Sequence, residues 1–301
     1  SPRRGPPIDA PRHRIDKVSS MCGFAGEIRL DGASPDLKSL AAMSDVLAPR
    51  GPDDHGLFVH GNVGLAHRRL SIMDTSRHAA QPMIDSHLGL GIAFNGAIYN
   101  HPELREALTG QGYRFFSTGD TEVILKAWHA WGEDCVHRLQ GMFAFMLWER
   151  DTGRVVLARD RLGIKPLYWT RKGPRLRAAS TLPALLAAGD VDTEVDEVAL
   201  HHYLSFHAVV PPPHTILRGI RKLPPATLRV IEPDGRERDL TYWEVSHDRS
   251  PEDEARSFED WQEIVLDALR LAVRRRLVAD VPVGALLSGG LDSSLIVALQ
   301  C

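Results

Sequence analysis

The sequence predicts an α+β fold in which two antiparallel sheets stack face to face with helices on their outer sides. Three observations carry that expectation. Short apolar strands come in pairs across turn residues, amphipathic helices separate those pairs in runs, and 43% hydrophobic content over 301 residues supplies a core for one large or two ordinary domains. A formal charge of −3 lacks the Lys and Arg excess that phosphate recognition needs, so nucleic acid is not the expected partner. No apolar run approaches the roughly 20 residues of a membrane span, so no membrane partner is expected either. Three cysteines, Cys22, Cys135 and Cys301, are too few and too odd in number for a disulfide framework, which points to a reducing, cytoplasmic compartment.

Taken in order, residues 1–20 are rich in Pro and Arg and read as disordered or as sequence upstream of a start at Met21. Residues 22–30 suit a buried strand turned by Asp31-Gly32. Ser34 followed by Pro35 reads as an N-cap and first helical position, and Leu37, Leu40, Ala41, Ser44 and Leu47 then share one helical face. The helix ends before Pro49, and Arg50-Gly51-Pro52-Asp53-Asp54-His55-Gly56 is a loop dense in turn formers. Strands follow over 56–60 and 63–67, the second running into Arg68-Arg69, and a further strand over 88–94 is closed by Asn95-Gly96.

Residues 102–110 form a short helix, and Asp120 opens a longer one through Trp131. A hairpin over Asp151-Thr152-Gly153 joins strands 142–149 and 154–159, and the loop from Asp160 to Tyr168 leads into more strands. Residues 180–188 and 196–206 read as helices, Pro211-Pro212-Pro213 as a rigid extended segment, and 227–231 with 240–245 as a hairpin across Asp234-Gly235. The polar, acidic stretch 246–256 is the best linker. After it Ser257 caps a helix with apolar positions Trp261, Ile264, Val265, Ala268, Leu269, Ala272 and Val273, and Arg274-Arg275-Arg276 suits its negative end. Residues 281–287 read as a buried strand running into Ser288-Gly289-Gly290-Leu291-Asp292-Ser293-Ser294 and a helix start. Cys301 falls in mid-helix, so the second domain is expected to be truncated.

Five features suggest chemistry. Cys22 directly follows a methionine; if that residue is trimmed, Cys22 carries a thiol nucleophile and a free α-amine, whose pKa of roughly 8 suits it to act as a base near neutral pH. An arginine in Arg68-Arg69 has the planar fork that grips a carboxylate, although a solvated edge is its ordinary fate. Asn95 beside Gly96 pairs a side-chain amide with an approachable backbone N–H, which suits an oxyanion; the same dipeptide also makes a type I′ hairpin turn. Asp120 at the start of its helix either caps it or binds a substrate ammonium. The glycine-rich turn 288–294, between a strand and a helix N-terminus, suits the pyrophosphate of ATP. The fourteen histidines show no two-His-plus-carboxylate spacing, and no metal site is expected in this stretch.

Cys22-Gly23, Arg50-Gly51-Pro52-Asp53, His67-Arg68-Arg69-Leu70-Ser71-Ile72, Phe94-Asn95-Gly96 with Ile98-Tyr99-Asn100, Gly141-Met142-Phe143-Ala144-Phe145 and the 288–294 loop together resemble the glutamine-hydrolysing asparagine synthetase family, over residues 21–301. Within it, Tyr113-Arg114-Phe115-Phe116-Ser117-Thr118 and the run 199–207 look most like the N-acetylglutaminylglutamine amidotransferase branch. The resemblance implies a four-layer αββα N-terminal nucleophile hydrolase domain over 21–245, a linker over 246–256, and the truncated start of an α/β ATP-pyrophosphatase domain over 257–301. It implies Cys22 as nucleophile, Asn95 and Gly96 as the oxyanion pair, and Arg69 and Asp120 as the groups binding the glutamine carboxylate and amine. Ser288, Gly289, Gly290, Asp292 and Ser293 match the pyrophosphate loop, with ATP and Mg²⁺ as cofactors of the complete protein. L-glutamine and a carboxylate acceptor are the implied partners, and a homodimer the carried assembly. The pattern departs at Ala97, where asparagine synthetases have Glu; this fits the dipeptide-amidating branch better than aspartate as acceptor. A non-catalytic remnant that binds glutamine is the rival, because residues upstream of Cys22 would leave its nitrogen an amide.

Overall fold

The computed structural model describes residues 21–300, so the expectation for residues 1–20 lies outside the described residues. Two six-stranded antiparallel sheets stack with helices on both outer faces, the four-layer αββα arrangement expected from the resemblance. The first sheet runs β10 (Arg221–Lys222), β8 (Tyr168–Lys172), β9 (Arg175–Ala179), β1 (Gly23–Arg29), β3 (Val63–Arg69), β2 (Asp54–His60). The second runs β12 (Glu237–Thr241), β11 (Thr227–Ile231), β7 (Val155–Arg159), β6 (Gly141–Glu149), β5 (Leu90–Ile98), β4 (Met83–Asp85).

Period-2 alternation decides which layer each side chain joins. Phe24 and Ile28 of β1 point between the sheets, where they meet Ala144 and Met146 of β6 and Leu157 of β7, while Ala25 points outward. The outer face of the first sheet is covered by α1 (Leu37–Leu47) and α5 (Leu182–Ala187), which pack Leu40, Met43, Leu47 and Leu185 against Ala25 and Ala179. The outer face of the second is covered by α2 (His101–Gly110), α3 (Asp120–Trp131) and α4 (Cys135–Arg138), with Val123, Ile124 and Trp128 on Phe94, Phe145 and Val156. Such central strands read as unbroken apolar runs because both their faces are covered.

Several local expectations are corrected. The cap of α1 is Asp36, whose carboxylate accepts from the N–H groups of Lys38 and Ser39, rather than Ser34; Leu37 and Ala41 face solvent while Met43 joins the core. Asn95-Gly96 does not end its strand, because β5 stays paired with β6 from Leu90↔Glu149 to Ile98↔Gly141. The last hairpin pairs Thr227 with Thr241 and Ile231 with Glu237, so its second strand precedes 240–245 for the most part. Helix α6 (Glu197–Ser205) follows its cap Asp196. The stretch 246–256 contains a short capped helix, α7 (Pro251–Ala255). Residues 281–287 form no strand and lie largely exposed: a strand buried on both faces needs neighbours to pair with, and none among the described residues pairs with it.

Helix α8 (Phe258–Arg276) starts at Ser257 as expected, through a reciprocal capping box with Asp260, and Arg274, Arg275 and Arg276 occupy its last turn. Of its apolar positions only Val273 is buried. Helix α9 (Leu291–Ala298) follows the glycine-rich turn. No helix of the described residues is long and apolar enough to cross a membrane.

Candidate active site

One end of the sandwich collects the residues singled out from the sequence. Cys22 lies immediately before β1, Arg69 is the last residue of β3, and β5 passes the same end at Asn95 and Gly96. Together with Asp120 from the first turn of α3 they line one cavity of about 540 Å³. Lys165 forms another part of its wall, and Arg276, the last residue of α8, lines it together with Val278 and Val283 of the segment that follows. Ser288, Gly289, Gly290, Asp292 and Ser293 are not among the lining residues.

The Cys22 thiol is fixed by Leu70, whose N–H donates to Sγ at 3.3 Å and whose carbonyl accepts from it at 3.5 Å. Burial pushes the thiol up from its ordinary range, and the Leu70 hydrogen bond opposes it; the Asp120 carboxylate adds to the rise, whereas Lys165 and Arg69 pull it down. The Arg-Gly-Pro-Asp loop after α1 secures Cys22 from behind. Arg50 Nε donates to the Cys22 carbonyl at 3.3 Å, the Asp53 N–H donates to the Arg69 carbonyl at 3.0 Å, and an Asp53 carboxylate oxygen accepts from the Ser71 N–H at 3.0 Å. Gly51 is required there because a Cβ would lie 2.2 Å from the Arg68 carbonyl.

Asn95 is 1% exposed, yet neither its amide nitrogen nor its oxygen has a hydrogen-bond partner among the described residues. Leaving such a group unpaired costs about 1–3 kcal/mol, so its position needs a reason beyond folding. Gly96 has a related property that follows from strand parity. The N–H of Phe94 donates to Gln81 Oε1 at 2.7 Å and that of Ile98 to an Asp120 oxygen at 2.9 Å, so the even-numbered N–H groups of β5 point away from β6. The N–H of Gly96 points the same way, between those two capped neighbours, and no side-chain acceptor among the described residues meets it. A Cβ at Gly96 would lie 2.2 Å from the Met142 carbonyl oxygen, so glycine alone lets β6 approach. An unpaired amide and an open N–H on one cavity wall form a ready receptor for an oxyanion.

Arg69 is buried, and its Nη1 donates to the Ser76 carbonyl at 3.0 Å while Nη2 donates to the carbonyls of Met73, at 3.3 Å, and Asp74. Its fork therefore holds the 73–76 loop, an occupation that residue type alone does not reveal. Burial raises the Asp120 carboxyl above the usual carboxylate range, opposed by the Ile98 N–H. Asp74 organises the same rim: its carboxylate accepts from the Ser76 N–H at 3.1 Å and the Thr118 N–H at 2.7 Å, and its own N–H donates to an Asp280 oxygen at 2.7 Å. Although burial opposes the shift, hydrogen bonds from Ser76 and Thr118 hold the Asp74 pKa at about 2.

Lys165, Gln81 and His67 also belong to the site or its support, and no local pattern in the sequence singles them out. His67, fully buried, bonds across the sheets to the Phe94 carbonyl at 2.9 Å and so holds β5 beneath the site. Burial pushes its pKa down to about 4, against about 6.5 in an unfolded chain. On acidification the unfolded chain takes up this proton first, so the His67 contribution to stability is full above pH 6.5 and is lost as pH falls toward 4. We expect a loss on the order of 3 kcal/mol from this residue over that window. Denaturant titrations of the wild type and a His67→Gln variant at several pH values check it: the variant should show a flatter pH dependence, and an unchanged dependence would contradict the assignment.

The glycine-rich turn leads into α9 but lacks the preceding strand that the sequence suggests. Gly289 has φ +83°, Gly290 caps α9, and no side chain occupies that cap, so the first N–H groups of the helix remain available. Ser293 Oγ meets Ser288 Oγ at 3.0 Å. These donors fit a nucleotide phosphate; Asp292 is the one carboxylate in the stretch, and among the described residues no group of three or more His, Cys, Asp and Glu is placed to hold a metal.

Residues 21–243 match the family model described as a glutamine amidotransferase domain, and residues 265–300 match one described as asparagine synthase. Among known proteins, a glutamine-hydrolysing asparagine synthetase of Bacillus subtilis is 36% identical over 282 residues, covering 93% of this chain and 44% of that protein. A putative glutamine-hydrolysing asparagine synthetase of Methanocaldococcus jannaschii is 34% identical over 304 residues, covering 93% of this chain and 57% of its own. The chain thus spans about half the length of these relatives. A solved glutamine phosphoribosylpyrophosphate amidotransferase from Bacillus subtilis shares the fold, with a TM-score of 0.55 at 19% identity over 73% of this chain and 49% of that one.

Proposed function

We propose that this chain, which belongs to the glutamine amidotransferase family, uses Cys22 to hydrolyse L-glutamine to glutamate and ammonia for amidation of a carboxylate. The unpaired Asn95 amide beside the open Gly96 N–H, on the cavity that also holds the Cys22 thiol, is the observation that carries this reading.

Once Met21 is removed, the Cys22 α-amine takes the thiol proton and the thiolate attacks the side-chain amide carbon of glutamine. Asn95 and Gly96 hold the oxygen as it becomes an oxyanion. The amine returns its proton to the leaving nitrogen, ammonia departs, and water then cleaves the thioester. Asp120, on the same cavity, binds the substrate ammonium in this reading. Arg69 faces the cavity and supports the carboxylate end while holding the 73–76 loop.

The division into a glutaminase domain over 21–245, a linker over 246–256 and the start of a synthetase domain from 257 belongs to this proposal. ATP, when bound, would supply activation of the acceptor carboxylate, and the backbone donors of 288–294 are the residues here that would hold its phosphates. The relatives' names favour aspartate as acceptor. Ala97 leans toward the dipeptide-amidating branch, but the stretches that suggest that branch, 113–118 and 199–207, do not line the cavity.

The deciding comparison is glutamine-dependent ammonia release by protein beginning at Cys22 and by protein that retains Met21. Activity only in the form with a free Cys22 amine supports the mechanism. Equal activity in both would show that the α-amine is not the base, and glutamine binding without turnover in both would favour the non-catalytic rival.

A further inference from the structure

We infer that Lys165 is a positioning residue acting through Cys22: its buried ammonium, set against the nucleophile with no ion-paired carboxylate among the described residues, favours the uncharged α-amine and the thiolate. The inference rests on the glutaminase reading for its consequence, and on geometry alone for its cause.

Lys165 is 5% exposed and lines the Cys22 cavity. The loop that carries it is clamped from both sides. The Asp160 carboxylate accepts four backbone N–H groups, those of Phe143 at 3.1 Å, Leu162 at 3.2 Å, Ile164 at 2.9 Å and Lys165 at 2.9 Å. Arg159 donates to the carbonyls of Lys165 at 2.8 Å, Gly163 at 2.8 Å and Leu223 at 2.5 Å. A side chain held this firmly ends on a poor partner, because the one hydrogen bond of Nζ among the described residues is to the thioether sulfur of Met21, at 3.2 Å. A thioether is a weak, uncharged acceptor, and Asp160, the nearest carboxylate on this loop, is engaged by its backbone. When Met21 leaves, Nζ loses that partner and faces Cys22.

The charged and titratable groups around the pair are Arg50 behind Cys22, Arg69 and Asp120 across the cavity, Asp160 on the loop, and Tyr99 and Arg276 on the far wall. Burial pulls Lys165 below the ordinary lysine range, and the Cys22 thiolate opposes that. An ammonium at this position disfavours a second positive charge on the α-amine and favours a negative one on sulfur, so both effects extend activity toward lower pH.

Two titrations of wild type, Lys165→Met and Lys165→Arg test this. For protein beginning at Cys22, the acidic limb of kcat/KM should move up by about one pH unit in Lys165→Met, a tenfold loss below the limb that vanishes at high pH. Lys165→Arg, which keeps the charge, should stay near wild type. The rate of iodoacetamide alkylation of Cys22 against pH, measured on the full chain, reads the thiol without any need for turnover, and its midpoint should rise in Lys165→Met. Lys165→Gln gives the same comparison if the Met variant folds poorly. A rate lowered equally at all pH values with an unmoved alkylation midpoint overturns the inference. A moved midpoint in a protein that does not hydrolyse glutamine sustains it and overturns the glutaminase reading instead.

Discussion

Replacement of Cys22 by Ala should abolish ammonia release from glutamine, lowering kcat by on the order of 10⁴-fold or more, because Cys22 supplies the one thiol that lines the cavity among the described residues. The fold should survive the change. The thiol is half-buried and, among the described residues, its hydrogen bonds are confined to Leu70, so the loss of stability should stay near 1 kcal/mol, and glutamine binding should persist. Kinetics together with thermal unfolding on the same preparation separate the two effects. Substantial glutaminase activity in a well-folded Cys22→Ala variant would place the nucleophile elsewhere.

The second large effect is expected at Asn95. Truncation to Ala should lower kcat by about 10²–10³-fold with a much smaller change in KM, since the amide is proposed to act on charge that develops only in the transition state. The accompanying stability change has an unusual sign. Removing a buried amide that has no partner relieves a desolvation penalty, so the variant should be as stable as the wild type or more so. A variant that loses stability and KM together, with kcat unchanged, would make Asn95 a structural residue of β5.

What was legible in the sequence follows from how local each signal is. The bounds of α3 were readable because Asp120 follows Gly119 and precedes an apolar helix that ends at Gly132, all within one segment. The cap of α1 differs from the expectation because Ser34-Pro35 and Asp36 offer competing start signals two residues apart; in the fold the Asp36 N–H donates to the buried Glu27 carboxylate of β1, a partner that local sequence does not reveal. Asn95-Gly96 looked like a turn because the dipeptide permits one; nine paired positions along β6 keep it extended. The 281–287 run has strand composition, but composition supplies no partner strand.

The candidate residues were found where a residue type carries its own chemistry, as Cys22, Asn95 and Asp120 do. Lys165 carries no such signal, because its meaning lies in a contact with Met21, 144 positions away in the chain. Arg69 was identified by type, but its hold on the 73–76 carbonyls depends on a loop conformation that no spacing encodes.

The proposal is tested most directly by trapping the covalent intermediate. Protein beginning at Cys22 would be mixed with L-glutamine, quenched in acid within the first turnovers, digested and read by mass spectrometry. A γ-glutamyl thioester on the peptide that starts at Cys22, reduced in Asn95→Ala and missing in Cys22→Ala, is the expected result. Glutamate formed at the same rate with no adduct on Cys22, or with the adduct on another residue, would contradict it.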